Sequence, residues 1–377
     1  MVESSENNQA RKKISKIKTF LVPFSSEEIK ENIFISSNKS TQTSQEEIIR
    51  QAINFHLLGN ISEATKYYQK LIHQGCNDHR VFSNYAIILK DLGKSEEAVF
   101  SLRKAIEIKP DLAISHSNLG LILKDLDKLT EAELSLRKAI ELKPDLAEAH
   151  SNLGNVLKFL GNVKDAETSY QKAIKLDPNF ADAYVNLGCI QLLKGNYKSG
   201  LDYYEFRNKT KYNRPVFPHA NPKLKRIDHE KLKQGEKLLV VSEQAPGDII
   251  FHMRYLLPLK RQGIDLSFCA PKKLHSLIKD SGIHANPISP EECNLVKEGK
   301  WIPLLSLLRY FSISPDNPLI NTPYISSTEI LKDKWRNILS NEKRPIIGIN
   351  WQGSKETDAY YKGRSIPLEK FSKLLEK

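Results

Sequence analysis

A 34-residue period runs through the first half of the chain and leaves few folds open to it. Pro110, Pro144 and Pro178 stand at that spacing, and Gly93, Gly161 and Gly195 lie on the same lattice. Ala98, Ala132 and Ala166 repeat with it, as do Ala105, Ala139 and Ala173. Successive units read "AISHSNLGLILKDLDKLTEAELSLRKAIELKPDL" and "AEAHSNLGNVLKFLGNVKDAETSYQKAIKLDPNF". Leu119, Gly120 and Leu123 on one predicted helix face Ala132, Leu136 and Ala139 on the next, with small residues where the backbones meet. Proline closes each unit because it cannot continue the second helix. One such pair cannot bury its apolar face alone, so at least three must stack. Starts near 45, 79, 113, 147 and 181 predict about five units across residues 45–213. The outer two are atypical, as end caps must be: Cys76 replaces the proline in the first, and Gly200, Arg207 and Tyr212 occupy lattice positions in the last.

This period with these small residues is the tetratricopeptide (TPR) pattern, which predicts an α solenoid. Asn84, Asn118, Asn152 and Asn186 also fall on the lattice. At about 100° per residue they point away from the predicted buried stripe, so a row of exposed amides is expected. An amide both donates and accepts, which suits the backbone of an extended peptide; the plain alternative is ordinary repeat chemistry. The repeats resemble those of TPR-containing protein O-GlcNAc transferases, in which an asparagine ladder lines the groove. That resemblance implies a protein or peptide ligand held at these four positions.

Bulk properties restrict the setting. Cys76, Cys189, Cys269 and Cys293 form no CxxC pair, so neither a zinc site nor a disulfide framework is expected. The start of the chain lacks the apolar core of a secretory signal, and no stretch approaches the roughly 20 apolar residues of a membrane span. A cytoplasmic protein without a membrane span is expected. The net charge of +12 is uneven: +2 over residues 1–44, +1 over 45–213 and +9 over 214–377. The basic C-terminal part calls for an anionic partner, while the neutral repeats argue against a nucleic-acid-binding solenoid. Residues 1–44, with Arg11, Lys12 and Lys13, read as a basic, disordered arm.

Beyond the repeats the periodicity changes. Pro215, Pro218 and Pro222 mark an extended connector over residues 214–234. Short apolar runs at 237–242 and 265–270 then alternate with helical spacing at 248–262 and 275–281, and "RPIIGIN" from Arg344 reads as a further strand. Strands separated by helices predict a parallel, Rossmann-like α/β sheet over 235–343, with a second such domain beginning at 344–377. Ligands of such sheets bind beyond the carboxyl ends of the strands, in loops that run into helices. Asp248 stands at the end of one such loop, and its simplest role is to cap the helix that follows.

The same stretch, "EQAPGDIIFHMRYLLPLKRQG", resembles the "EQGxGDxxxxxRYxPxLxxxG" opening of bacterial TPR-linked glycosyltransferases, relatives of the heptosyltransferases with a GT-B fold of two Rossmann domains. "YYEFR" at 203–207, "WIPLLSLLRYF" from Trp301 and "IGINWQGSKETDAYYKGRSIPLEKF" match further segments of that family in order. The resemblance implies transfer of a hexosyl, GlcNAc or heptosyl group from a nucleotide sugar to a protein or glycan, with Asp248 as general base on the acceptor hydroxyl. It also implies donor-phosphate contacts from Ser354, Lys362, Arg364 and Ser365, no metal and no cofactor beyond the donor itself. Ala245 and Pro246 depart from the family pattern in the loop before Asp248. Only 33 residues follow Arg344, so the donor half is expected to be incomplete. The alternative function is a non-catalytic TPR scaffold with a vestigial transferase domain. His252 and His275 read as isolated packing or surface residues, and Trp301 and Trp335 as core anchors rather than sugar platforms.

Overall fold

The computed structural model describes residues 45–209, 218–228, 230–319 and 323–340. Ten helices of the first part pair in sequence order: α1 (Gln45–Leu57) with α2 (Ile61–His73), α3 (His79–Asp91) with α4 (Ser95–Ile108), and α5 (Ala113–Asp125) with α6 (Leu129–Leu142). Then α7 (Ala147–Phe159) pairs with α8 (Val163–Leu176), and α9 (Ala181–Leu193) with α10 (Tyr197–Tyr204). The first helices of the pairs start 34 residues apart. In the α5–α6 pair contact is close enough to require glycine: a Cβ on Gly120 of α5 would lie 2.5 Å from Leu136 Cγ of α6, while the equivalent position holds alanine in the first two pairs, Ala52 and Ala86. Each turn between paired helices needs a left-handed residue, supplied by Gly59, Gly93, Gly161 and Gly195, and by Asp127 at φ 62°. Two apolar clusters fill the stack, one around Tyr68 and Leu71 and one from Ala86 to Ile190.

The last pair runs into a 3-10 turn, Glu205–Lys209. Beyond it lies a four-stranded sheet, all parallel, in the order β1–β4–β2–β3. Its strands are β1 (Lys225–Arg226), β2 (Lys237–Val241), β3 (Asp265–Cys269) and β4 (Lys300–Pro303). β1 falls inside the stretch read from sequence as connector, and β4 overlaps the start of the segment "WIPLLSLLRYF". Side chains alternate across the sheet. Leu238, Val240, Phe268 and Ile302 face the main core, and Leu239, Val241, Cys269 and Trp301 the smaller one. The main core is closed by α11 (Pro246–His252), α12 (Leu256–Arg261), α13 (His275–Asp280) and α14 (Leu307–Tyr310).

Two expectations are corrected here. The continuous helix read over 248–262 is broken by a 3-10 turn at Met253–Tyr255. Pro258 has no N–H to give to the Arg254 carbonyl, so the ladder fails one turn before it. Trp335 is no core anchor. It lies on α15 (Glu329–Leu339), a helix with no buried residue, and is 57 % exposed, whereas Trp301 is buried on β4. The strand read from Arg344 lies outside the described residues.

Candidate functional site

The inner wall of the solenoid is made by the first helices of the pairs, because α1 packs on α3, α5 on α7 and α7 on α9 directly. That packing covers the asparagine row more than its helical phase implied. Asn84 and Asn118 are buried, at 0 % and 3 % exposure, while Asn152 and Asn186 are half-buried. The expected row of exposed amides is thereby corrected. A position off the intra-pair stripe is still closed by a neighbouring repeat, as Tyr68 of α2 lies against Asn84, which the phase of one helix cannot reveal. The row opens toward its C-terminal end, where Asn186 Oδ1 accepts a hydrogen bond of 3.3 Å from Lys158 Nζ of the preceding repeat. Nearby, Tyr184 of α9 stacks on Phe206 with ring centroids 3.9 Å apart.

The residue after Phe206 joins the solenoid to the sheet. Arg207 is 6 % exposed and Glu243, just past β2, is fully buried. Arg207 Nη2 donates to Glu243 Oε1 at 2.8 Å and Nε to Oε2 at 3.1 Å, a two-point pairing of guanidinium and carboxylate. Its other donors reach Glu205 Oε1 at 2.8 Å, Ser306 Oγ at 2.9 Å and the Tyr204 carbonyl at 3.3 Å. Glu243 Oε1 also accepts the backbone N–H of Leu305 at 2.9 Å. Glu205 Oε2 accepts from Arg226 Nη2 at 2.7 Å and from Ser306 Oγ at 3.0 Å. Burial opposes the charge on Glu205, yet Arg207, Ser306 and Arg226 outweigh it and hold its carboxyl below the usual range. Burial likewise opposes the charge on Arg207, and Glu243 and Glu205 hold its pKa above the ordinary value. Both Arg207 and Glu243 stand in the quoted sequence blocks, but 36 residues apart, and nothing local in either block signals the pair.

Glu243 begins the loop that carries Asp248. Gln244 adopts a left-handed backbone at φ 69°, and its side-chain Nε2 donates to the Tyr204 hydroxyl at 2.9 Å, so α10 of the solenoid props the turn. Asp248 does not cap the helix. α11 starts at Pro246 with Ala245 as N-cap, which leaves Asp248 as the third helical residue. Proline's fixed φ suits the first helical position and moves the start forward. Asp248 is half-buried one turn before His252, whose Nδ1 donates to the Asp248 carbonyl at 2.7 Å. Burial lowers the His252 pKa despite that bond. A half-buried carboxylate in such a loop can accept a proton from an incoming hydroxyl. His275 likewise spends its Nε2 on the Ala270 carbonyl, at 2.8 Å. Ser354, Lys362, Arg364 and Ser365 lie outside the described residues. Among the described residues no group of three or more His, Cys, Asp or Glu side chains could hold a metal ion, and no helix is long and apolar enough to cross a membrane.

Family models of the tetratricopeptide repeat match residues 147–180 and 169–201, and a TPR-repeat model matches 88–127 and 122–161. No curated protein sequence matches the chain. Among solved structures, MamA is similar at 24% identity and a TM-score of 0.38, over 41% of this chain and 91% of that one. The pilF protein of Pseudomonas aeruginosa is 19% identical with a TM-score of 0.40, over 43% of this chain and 74% of its own. YrrB, a TPR protein with an unusual peptide-binding site, is 20% identical with a TM-score of 0.39, over 50% of this chain and 92% of its own. Residues 88–201 are therefore tetratricopeptide repeats, and as such they support a role in protein–protein interaction.

Proposed function

We propose that the solenoid holds a segment of a partner protein along its inner wall and that the α/β unit transfers a sugar to that partner, or to a glycan on it, from a nucleotide-sugar donor. Asp248 is the general base on the acceptor hydroxyl in this reading. Ser354, Lys362, Arg364 and Ser365 receive the donor's diphosphate, and no metal takes part. The observation that carries the reading is the Arg207–Glu243 pair, which ties the end of the solenoid to the loop that leads to Asp248. Two further facts support it. The sheet is parallel, and Asp248 stands past the carboxyl end of β2, where such sheets bind ligands. The partial exposure of Asp248 also suits the second reading, a TPR scaffold that binds a partner without turnover.

The test is label incorporation from a panel of radioactive nucleotide sugars into protein partners bound by the solenoid. Asp248→Asn should lower incorporation about 10²- to 10⁴-fold, the usual reach of general-base catalysis, with partner binding unchanged. Equal incorporation by wild type and variant removes Asp248 from the mechanism. Partner binding without incorporation from any donor leaves the scaffold.

A further inference from the structure

The 34-residue lattice carries a second polar row on the inner wall. Lys90, Lys124 and Lys158 recur six residues after Asn84, Asn118 and Asn152. One intervening position, occupied by Ile87, Leu121 and Asn155, lies three residues from each row, so both rows flank one strip of helix surface. Lysine is among the residues least often withdrawn from water, yet all three are half-buried, and the Lys124 side chain is only 17% exposed. Lys158 Nζ reaches Asn186 Oδ1 of the next repeat and lies 5.8 Å from the Phe159 ring centroid. Lys124 Nζ lies 3.0 Å from Asp125 Oδ1. Around Lys90, Asp125 and Asp91 favour its charge while Lys124 opposes it, and burial outweighs them and lowers its pKa. Asp91 and Asp125, beside these half-buried lysines, are themselves exposed.

We propose that this row selects an extended, acidic protein segment, whose carboxylates settle on Lys90, Lys124 and Lys158. The inference rests on the reading of the solenoid as a protein-binding wall and adds the chemistry of its ligand. An ammonium already stripped of part of its water loses little more when a carboxylate arrives, and each new contact replaces solvation that folding has removed. Directly packed helices stand about 8–10 Å apart. An extended chain advances about 3.3 Å per residue, so an acidic side chain at roughly every third position matches the row. Charge beyond the repeats fits the same partner: residues 214–377 carry a net +9, which attracts whatever acidic chain continues past the last repeat.

The experiment is calorimetric titration of the full chain, at low salt, with three synthetic peptides of about 15 residues. They are built of Glu-Gly-Ser, Gln-Gly-Ser or Lys-Gly-Ser triplets. The Glu peptide should bind roughly tenfold more tightly than the Gln peptide, as three partly desolvated ion pairs would give, and the Lys peptide more weakly than either. The combined variant Lys90→Met, Lys124→Met and Lys158→Met keeps the apolar stems and should bring the Glu peptide down to the Gln level. Lys124→Met alone serves if the triple variant loses helicity, and should remove part of the preference. Equal binding of the Glu and Gln peptides overturns the acidic preference and leaves the wall as a general peptide binder. Absence of binding by all three overturns both. Displacement of the Glu peptide by an oligo-dT strand would turn the row into a nucleic-acid site and overturn the proposal.

Discussion

A guanidinium as enclosed as that of Arg207 persists only because its donors are engaged: two by Glu243, the rest by Glu205, Ser306 and a carbonyl. Breaking one side of a buried pair costs about 3–5 kcal/mol, since the other charge stays behind unpaired. The pair was not legible in the sequence because its halves lie 36 residues apart on different elements, and the partner Arg207 has close by, Glu205, gives no sign of Glu243. His56 is the opposite case, a buried imidazole with Nδ1 unbonded among the described residues, set against the edge of Tyr68. Burial lowers its pKa from 6.5 to about 4. The unfolded chain takes up a proton near pH 6.5 that the folded chain refuses until about pH 4. The stability His56 contributes is therefore complete above the higher value and is lost as pH falls through the lower one. Between pH 7.5 and 5.5 the wild type should lose about 1 kcal/mol through this residue, after allowance for solvent screening. In His56→Phe that part of the pH dependence should vanish. Urea midpoints of both proteins at the two pH values check it, and an unchanged slope in the variant contradicts it.

At the scale of elements, periodicity made the repeat helices legible, since the small and proline positions of the central repeats set a lattice on which the outer ones also start. Exceptions arose where one strong local rule displaced another. Asp248 is a good capping residue, but Pro246 is a better first helical residue, so the helix begins earlier and the cap falls to Ala245. Pro258 divides what the apolar spacing joins. α15 has a helical pattern with an apolar face that nothing described covers, so the pattern alone could not tell Trp335 from a core residue. The burial of Asn84 and Asn118 depends on the neighbouring repeat and so lies outside the phase of any one helix. The turn between α5 and α6 yields a prediction. Four of the five equivalent turns place glycine in the left-handed region, while Asp127 is held there at φ 62°. Asp127→Gly should relieve that strain and stabilise the protein by about 0.5–1 kcal/mol, less the entropy glycine restores to the unfolded chain. A higher urea midpoint with an unchanged slope is the expected result; a lower midpoint means Asp127 makes a contact worth more than its strain.

At the scale of the molecule, the solenoid and the sheet meet through charge as well as apolar packing. Arg207, Arg226 and Arg309 come together with Glu205, Glu243, Asp202 and Asp228 at one junction. Tyr204 packs against the main core of the sheet and at the same time holds Gln244 of the Asp248 loop. In the proposed function these contacts make the groove and the loop one mechanical unit, so that a partner on the inner wall would have a fixed relation to Asp248. Hydrogen exchange read peptide by peptide in Arg207→Met tests that claim most directly. With the repeats still folded, residues 243–252 should lose at least about tenfold in protection, because their propped turn has lost its anchor, while α3 to α7 exchange as in the wild type. Protection of 243–252 equal to that of the wild type would mean that the loop keeps its shape without the solenoid, and would contradict the coupling on which the proposed function rests.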